Sequence, residues 1–288
     1  MASQSQALPA RPRPAYRWRV HPLRVLLYLL LTIGALAAVI PLVWMILTSF
    51  MTRGEVYLRV LLPSHIQFGN YLEAWQEARF SLYFRNSVIV TLVTVFGQLF
   101  ICTLAAYAFA RMEFVGRDVI FMLFLSTMMI PAAVTFIPNF LIIKTLGWYD
   151  KLAALTIPFM SSPFSIFLLR QFFAQVPKDL YDAALIDGAG HVRFLFQVVV
   201  PLSRAPLMTV ATLTFIFAWN ELQWPLIATR TPTWRPISVG LYTFISEAGP
   251  DTHLMMAGAV IAIIPVLLVY FLAQRQFTES IITSGLKG

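Results

Sequence analysis

Charge is scarce in this sequence. Asp, Glu, Lys and Arg make up 12% of its 288 residues, about half the share of a soluble domain. With hydrophobic residues at 59% and a mean hydropathy of +0.74, this excludes an ordinary soluble domain. Cysteine occurs once, at Cys102, so no intrachain disulfide can form and thiols do not report the compartment. Histidine occurs four times, at His21, His65, His191 and His253, scattered over termini and loops. No HExxH or clustered Cys/His spacing accompanies them, which argues against a metal site. The chain also lacks GxxxxGK(S/T), the loop that cradles nucleotide phosphates, so ATP hydrolysis is not expected on it. A GxSxG nucleophile elbow is missing too, and no enzymatic role is read. No internal repeat is evident, which weakens the case for a single-chain transporter built from inverted repeats.

Long uncharged runs are what the chain has instead. No charged residue lies between Arg24 and Arg53, Arg85 and Arg111, Asp118 and Lys144, Lys151 and Arg170, or Asp251 and Arg275. Each interval holds 18 or more residues, close to the roughly 20 that a helix needs to cross a bilayer. A sixth stretch, from Ala205 to about Ile227, is broken only by Glu221. Lipid offers no partner to a bare backbone, so such spans must be helical. The expected fold is an all-α membrane protein with six transmembrane helices, at about 25–47, 87–110, 119–143, 152–170, 205–227 and 254–274. Residues 1–22 read as a basic, Pro-rich cytoplasmic segment, and 23–288 as the transmembrane domain.

The net charge of +8 raises nucleic acid as a partner, but its distribution speaks for topology. Five arginines and no acid precede the first span, and the segments that six spans would leave in the cytoplasm hold thirteen of the 21 Lys and Arg residues. Both termini are therefore expected in the cytoplasm. The first apolar run continues past Pro41 to Phe50, beyond the 7–15-residue core of a cleaved signal peptide, which favours an uncleaved span. Within residues 51–86, NYLEAWQEARFSLYF suggests a short amphipathic helix on the membrane surface. Gly97, Ala105, Ala106 and Ala108 give the second span a small-residue face for close packing. Pro131 and Pro138 in the third span, and Pro158 and Pro163 in the fourth, should bend their helices and open gaps.

Between the fourth and fifth spans lies PKDLYDAALIDGAGHVRFLFQVVVP, residues 177–201. Pro177 suits a helix first turn. Leu180, Ala183, Ala184 and Asp187 follow at i, i+3, i+4 and i+7 on one face. Gly188 can take positive φ, end the short helix and turn the chain. A second helix then leads to Pro201 and the next span. Such an exposed helix fits a partner's groove or rests on lipid; both readings stand at this point. In the fifth span, Glu221 is costly in lipid and should face a cavity or a partner. With Trp219, Asn220 and Trp224 it makes a set suited to a neutral polar solute. The same residues equally describe an outer aromatic belt with a structural carboxylate. Asn139 is a further pathway candidate, or a hydrogen-bonding partner of a neighbouring helix.

The pattern D-A-A, two residues, D-G-A and V-x-x-P resembles the EAA loop of permease subunits from bacterial ATP-binding-cassette importers. RQFFAQVPKDLYDAALIDGAG, MMIPAAVTFIPNFLIIKTLGWYD, FAWNELQWPL and the terminal ITSGLKG are similar to the carbohydrate-uptake branch, as in the second membrane subunit of maltose-type importers. The likeness covers roughly residues 23–288. It implies a cytoplasmic coupling helix seated in a cleft of an ATPase subunit, through Asp182, Ala183, Ala184, Asp187, Gly188 and Pro201. It also implies a tail, Ser284, Gly285, Leu286, Lys287 and Gly288, that reaches the ATPase dimer. The implied partners are a second permease, two ATPase subunits carrying ATP and Mg, an extracytoplasmic substrate-binding protein and a small polar solute, in the bacterial inner membrane. This chain itself would bind no cofactor. Asp182 departs from the usual Glu, keeping the charge on a shorter arm. A secondary transporter and a membrane scaffold with a cytoplasmic partner are the alternatives. The first predicts several ionisable residues near the midplane, and the chain offers one good candidate, Glu221.

Overall fold

A computed structural model describes residues 22–245 and 251–285. The basic segment expected at 1–22 lies outside these except for Pro22, as do Leu286, Lys287 and Gly288 of the tail. Among the described residues all regular structure is helical and no strand occurs. The chain divides into two units, residues 1–44 and 45–288.

The first unit contributes most of helix α1 (Pro22–Ser49). Its side chains are exposed all round, Leu30 and Leu36 among them. A helix apolar on every face suits lipid or a membrane partner rather than water.

In the second unit, the turn after α1 is closed by Asn70, whose side-chain amide donates to the carbonyls of Ser49 at 2.9 Å and Met51 at 2.8 Å. Helix α2 (Arg53–Tyr57) begins with a capping box between Thr52 and Glu55. Glu55 accepts from the backbone N–H of Thr52 and of Ser64, each at 2.8 Å, which folds the 52–64 segment on itself. Helix α3 (Gly69–Glu77) is the amphipathic helix the sequence foretold, with a different facing. Its Ala74 is buried in a cluster with Leu254 and Ala257, so its small-residue side lies on protein.

Helix α4 (Phe80–Arg111) is the long central element. It starts some six residues before the uncharged interval does, because Phe80 and Tyr83 are buried against protein there; hydropathy marks the apolar part of a helix, not its ends. Gly97 on α4 lies where an added Cβ would come within 2.6 Å of the Met160 side chain, as a close-packing face requires.

Proline breaks several of the remaining elements. Helices α5 (Arg117–Ser126) and α6 (Ala132–Thr145) are separated at Pro131 by a bend of 105°. Pro138 lies within α6 without ending it. Helix α7 (Leu152–Thr156), a 3-10 turn holding Pro158, and α8 (Pro163–Ala174) form a second broken pair, bent by 43°. The loop helix α9 (Lys178–Ile186) follows, then α10 (His191–Phe194), a π turn (Leu195–Val199) and α11 (Val200–Leu202). The π turn contains Gln197, the residue whose carbonyl the ring of Pro201 would strike in a regular helix. After an 83° bend, α12 (Arg204–Asn220) ends at Glu221, whose backbone is extended. The fifth apolar stretch is thus helical to 220 and resumes as α13 (Gln223–Ala228). Helices α14 (Ile237–Tyr242) and α15 (Thr252–Gly285) complete the chain. Three helices are long and apolar enough to cross a membrane, or up to six if each bent pair counts as one span.

Candidate functional site

Two places collect the residues of interest: the loop around α9, and a pair of cavities beside α12.

Helix α9 ends as a Schellman motif. Gly188 has φ +76°. Its N–H donates to Leu185 at 3.0 Å, and the N–H of Ala189 donates to Ala184 at 2.8 Å. These bonds satisfy carbonyls that a helix end leaves open. Leu180, Ala183 and Asp187 are exposed, as is Ile186 beside them. The two alanines differ: Ala183 faces outward, whereas Ala184 packs against the buried cluster around Phe173 and Phe194. Asp182, Gly188 and Pro201 are exposed.

The loop is tied to the bundle by side chains that the sequence reading passed over. Tyr181 of α9 stacks on His191, with ring centroids 5.2 Å apart, and meets Phe194 edge-on. Its hydroxyl lies 3.1 Å from His191 Nε2. On the other side, the buried Tyr107 of α4 places its hydroxyl 2.9 Å from His191 Nδ1. The Tyr181 hydroxyl also lies 3.3 Å from Nδ1, over the ring, so the two tyrosines meet on one imidazole. One turn further along α4, Arg111 donates from Nε to the Phe173 carbonyl at 3.1 Å and from a terminal nitrogen to the Val176 carbonyl. Arg170 of α8 returns the contact, donating to the Phe109 carbonyl at 3.2 Å with its guanidinium 4.2 Å over the Phe121 ring.

Of the two cavities, the first has about 390 Å³ and is lined by Asn139, Thr135, Phe136, Phe159, Phe217, Glu221, Gln223 and Trp224, among others. The second has about 700 Å³ and adds Gln98, Thr127, Ser161, Ser162, Ser165 and Thr214. They share Ala132, Thr135, Pro158, Phe159 and Phe217. Pro131 and Pro163 stand at the breaks of their helices here, with Pro158 in the 3-10 turn just before the second break, as the bent-helix reading expects. Glu221 caps the restart of the broken helix: its Oε1 accepts from the Trp224 N–H at 3.0 Å. Its carbonyl accepts from Ser238 at 2.7 Å. Gln98 donates to Ser165 at 2.7 Å in a buried pair.

The structure therefore brings Asn139, Glu221 and Trp224 to one cavity. Trp219 and Asn220 line a different one, of about 300 Å³, with Ser238 and Tyr242. Both tryptophans are buried, with their indole N–H groups donating to Ala262 at 3.0 Å and Ala154 at 2.8 Å. Their faces pack on Phe84 and Phe215, and on Phe136 and Phe159. Residue type announced aromatic surface but not which way it faces. Ser284 and Gly285 lie on the last turn of α15. Among the described residues no three of His, Cys, Asp or Glu converge to hold a metal ion.

The chain resembles known proteins over most of its length. The diacetylchitobiose uptake system permease protein of Streptomyces coelicolor is 32% identical, over 88% of this chain and 85% of that protein. The sn-glycerol-3-phosphate transport system permease protein of Yersinia enterocolitica is 31% identical, over 91% of this chain and 97% of that one. Among solved structures, a bacterial ABC transporter involved in the import of the acidic polysaccharide alginate aligns with TM-score 0.79 and 28% identity, covering 91% of this chain and 99% of that chain. Residues 98–282 match the family described as binding-protein-dependent transport system inner membrane component. The chain belongs to that family: it is the membrane permease subunit of an ATP-binding-cassette import system.

Proposed function

We propose that this permease moves a neutral carbohydrate, or a closely related small polar solute, through the cavities beside α12, driven by ATP hydrolysis on a separate subunit. The observation that carries the solute class is the lining. Among the described residues of both cavities, Glu221 is the only charged one, set among amides and hydroxyls of Asn139, Gln223, Thr135, Ser161 and Ser162. Amides and hydroxyls exchange hydrogen bonds with sugar hydroxyls, while an uncompensated carboxylate in a low-dielectric passage repels an anion. Trp219 and Asn220 act here from a neighbouring cavity, and Trp224 by shaping the wall.

The energy enters at α9. Its exposed Ala183, Asp182 and Asp187, ended sharply at Gly188, present a short helix to a cleft on an ATPase subunit, with Ala184 setting its seat and Pro201 its exit. ATP and Mg bind on that subunit and not on this chain. Residues Ser284 to Gly288 contact the ATPase pair. The working complex holds a second permease, two ATPase subunits and an extracytoplasmic binding protein. Both termini and α9 lie in the cytoplasm of a bacterial cell with this chain in its inner membrane, in line with the arginine-rich start.

The test is reconstitution of the complex with its binding protein in vesicles. Neutral mono- and oligosaccharides should stimulate ATP hydrolysis and accumulate; sugar phosphates and uronic acid oligomers should not. Stimulation by the anionic compounds alone would overturn the solute class. Uphill accumulation by the isolated chain would overturn the import mechanism.

A further inference from the structure

We infer that Tyr107 and Arg111 of α4 are positioning residues for energy coupling: together they hold the two ends of the loop that carries α9, so that displacement of the loop carries α4 with it. The inference rests on the reading of α9 as the ATPase-docking helix. Arg111 binds the entry. It donates to the carbonyls of Phe173 and Val176, and Val176 immediately precedes Pro177, where α9 begins. These carbonyls belong to the end of α8, where helical partners run out, and a guanidinium is the strongest donor available for them. Tyr107 binds the exit. Its hydroxyl meets His191, the first residue of α10, three positions after Gly188. Tyrosine and arginine stand at i and i+4 on α4, one turn apart on the same face. Tyr181 closes the loop from within by stacking on the same imidazole.

The loop is thus gripped at both ends by one helix and cannot slide along it without breaking hydrogen bonds. At least one of the tethered groups on each side is buried: Tyr107 is 3% exposed and Phe173 0%. A broken bond here strands a polar group away from water, which makes separation costly. A helix of 32 residues spans about 48 Å. Its opposite end carries Asn86, whose side-chain amide donates to the carbonyls of Thr233 at 2.9 Å and Arg235 at 3.0 Å. A push on the loop therefore reaches the far side of the molecule through a single rigid element.

The test uses the full complex with Cys102→Ser and two spin labels, at Asp179→Cys on α9 and Met112→Cys at the end of α4. Between the nucleotide-free and ATP-bound complexes the label separation should change by less than about 2 Å, the scale of sliding between packed helices. A change of about 5 Å, one helical turn, would overturn the inference. In parallel, a Tyr107→Phe/Arg111→Gln variant should lose solute moved per ATP hydrolysed by about tenfold, within the range of inter-site coupling, and Arg111→Lys should restore part of it. A wild-type ratio in the double variant would also overturn the proposal. If that variant fails to assemble, the distance in the otherwise native complex decides. The docking reading is judged separately: Ala183→Trp should abolish co-purification of the ATPase subunit, and its failure to do so would sink that reading while the distance still reports on the grip.

Discussion

Gly188 sets the geometry of the loop through one backbone angle. No neighbouring atom lies within 4 Å of where its Cβ would be, so space is not the constraint; the φ of +76° is. An L-residue there costs about 1–2 kcal/mol. Gly188→Asn, which tolerates this region, should transport nearly as well as the native chain. Gly188→Val should lose most coupled transport, and normal uptake by it would show that the turn does not matter. Glu221 makes the complementary case. Its carboxylate both faces the cavity and caps Trp224. Glu221→Gln keeps an acceptor for that cap, so the complex should assemble normally while admission of anionic solutes rises. Glu221→Leu should lower thermal stability as well, because the Trp224 N–H loses its partner. Equal thermal stability in both variants would mean the cap contributes nothing.

Elements are held by a few long-range pegs, and each predicts its own loss. Asn86 is fully buried and its amide holds the segment leading to α14. Asn86→Ala should cost about 2 kcal/mol, visible as a lower unfolding temperature of the purified complex. Glu55 pins the 52–64 segment, and hydrogen bonds from the N–H of Thr52 and then of Ser64 hold its carboxyl down from 4.5 to about 2. A lowered folded value means the contribution is complete above the ordinary value and is lost as pH falls through the folded one. Protection of the 52–64 amides, measured against their intrinsic exchange rate at each pH, should therefore hold from neutral pH to about pH 4.5 and fall between there and about pH 2. Glu55→Gln should remove that acid step; a step that survives the substitution has another source. Asp150 does similar work on the segment after α13, accepting from the N–H of Arg230 and of Thr231, each at 3.0 Å. Burial pushes its carboxyl up, but hydrogen bonds from Thr231 and Arg230, with Arg235 nearby, leave it below the usual range.

For the whole molecule, the sequence was most legible where lipid imposes the rule. Uncharged intervals located the long helices α1, α4 and α15, and the prolines located the breaks at Pro131 and Pro163. Gly188 announced its own turn, because positive φ has few other occupants. The hidden part is long-range. Tyr107 meets His191 from 84 positions away, and Arg111 meets Phe173 and Val176 from 62 and 65. No local periodicity records such pairs, so His191 read as an ordinary loop histidine. The proposed topology, six crossings with both ends inside, would put α9 and the 52–64 segment on opposite faces of the membrane. In a Cys102→Ser chain, a cysteine at Asp182 should react with an impermeant thiol reagent only in inverted vesicles, and one at Ser64 only in intact cells. Reaction of both from the same side would refute that topology.

The π turn ahead of Pro201 holds one residue more than a regular helix would. Each residue rotates a helix by about 100°. That single surplus amino acid therefore fixes the compass bearing of α10 relative to α11, and with it the seat against which α9 rests. Removing one codon there should turn His191 away from Tyr107 and unseat the loop, although the chemistry of every remaining side chain would be unchanged.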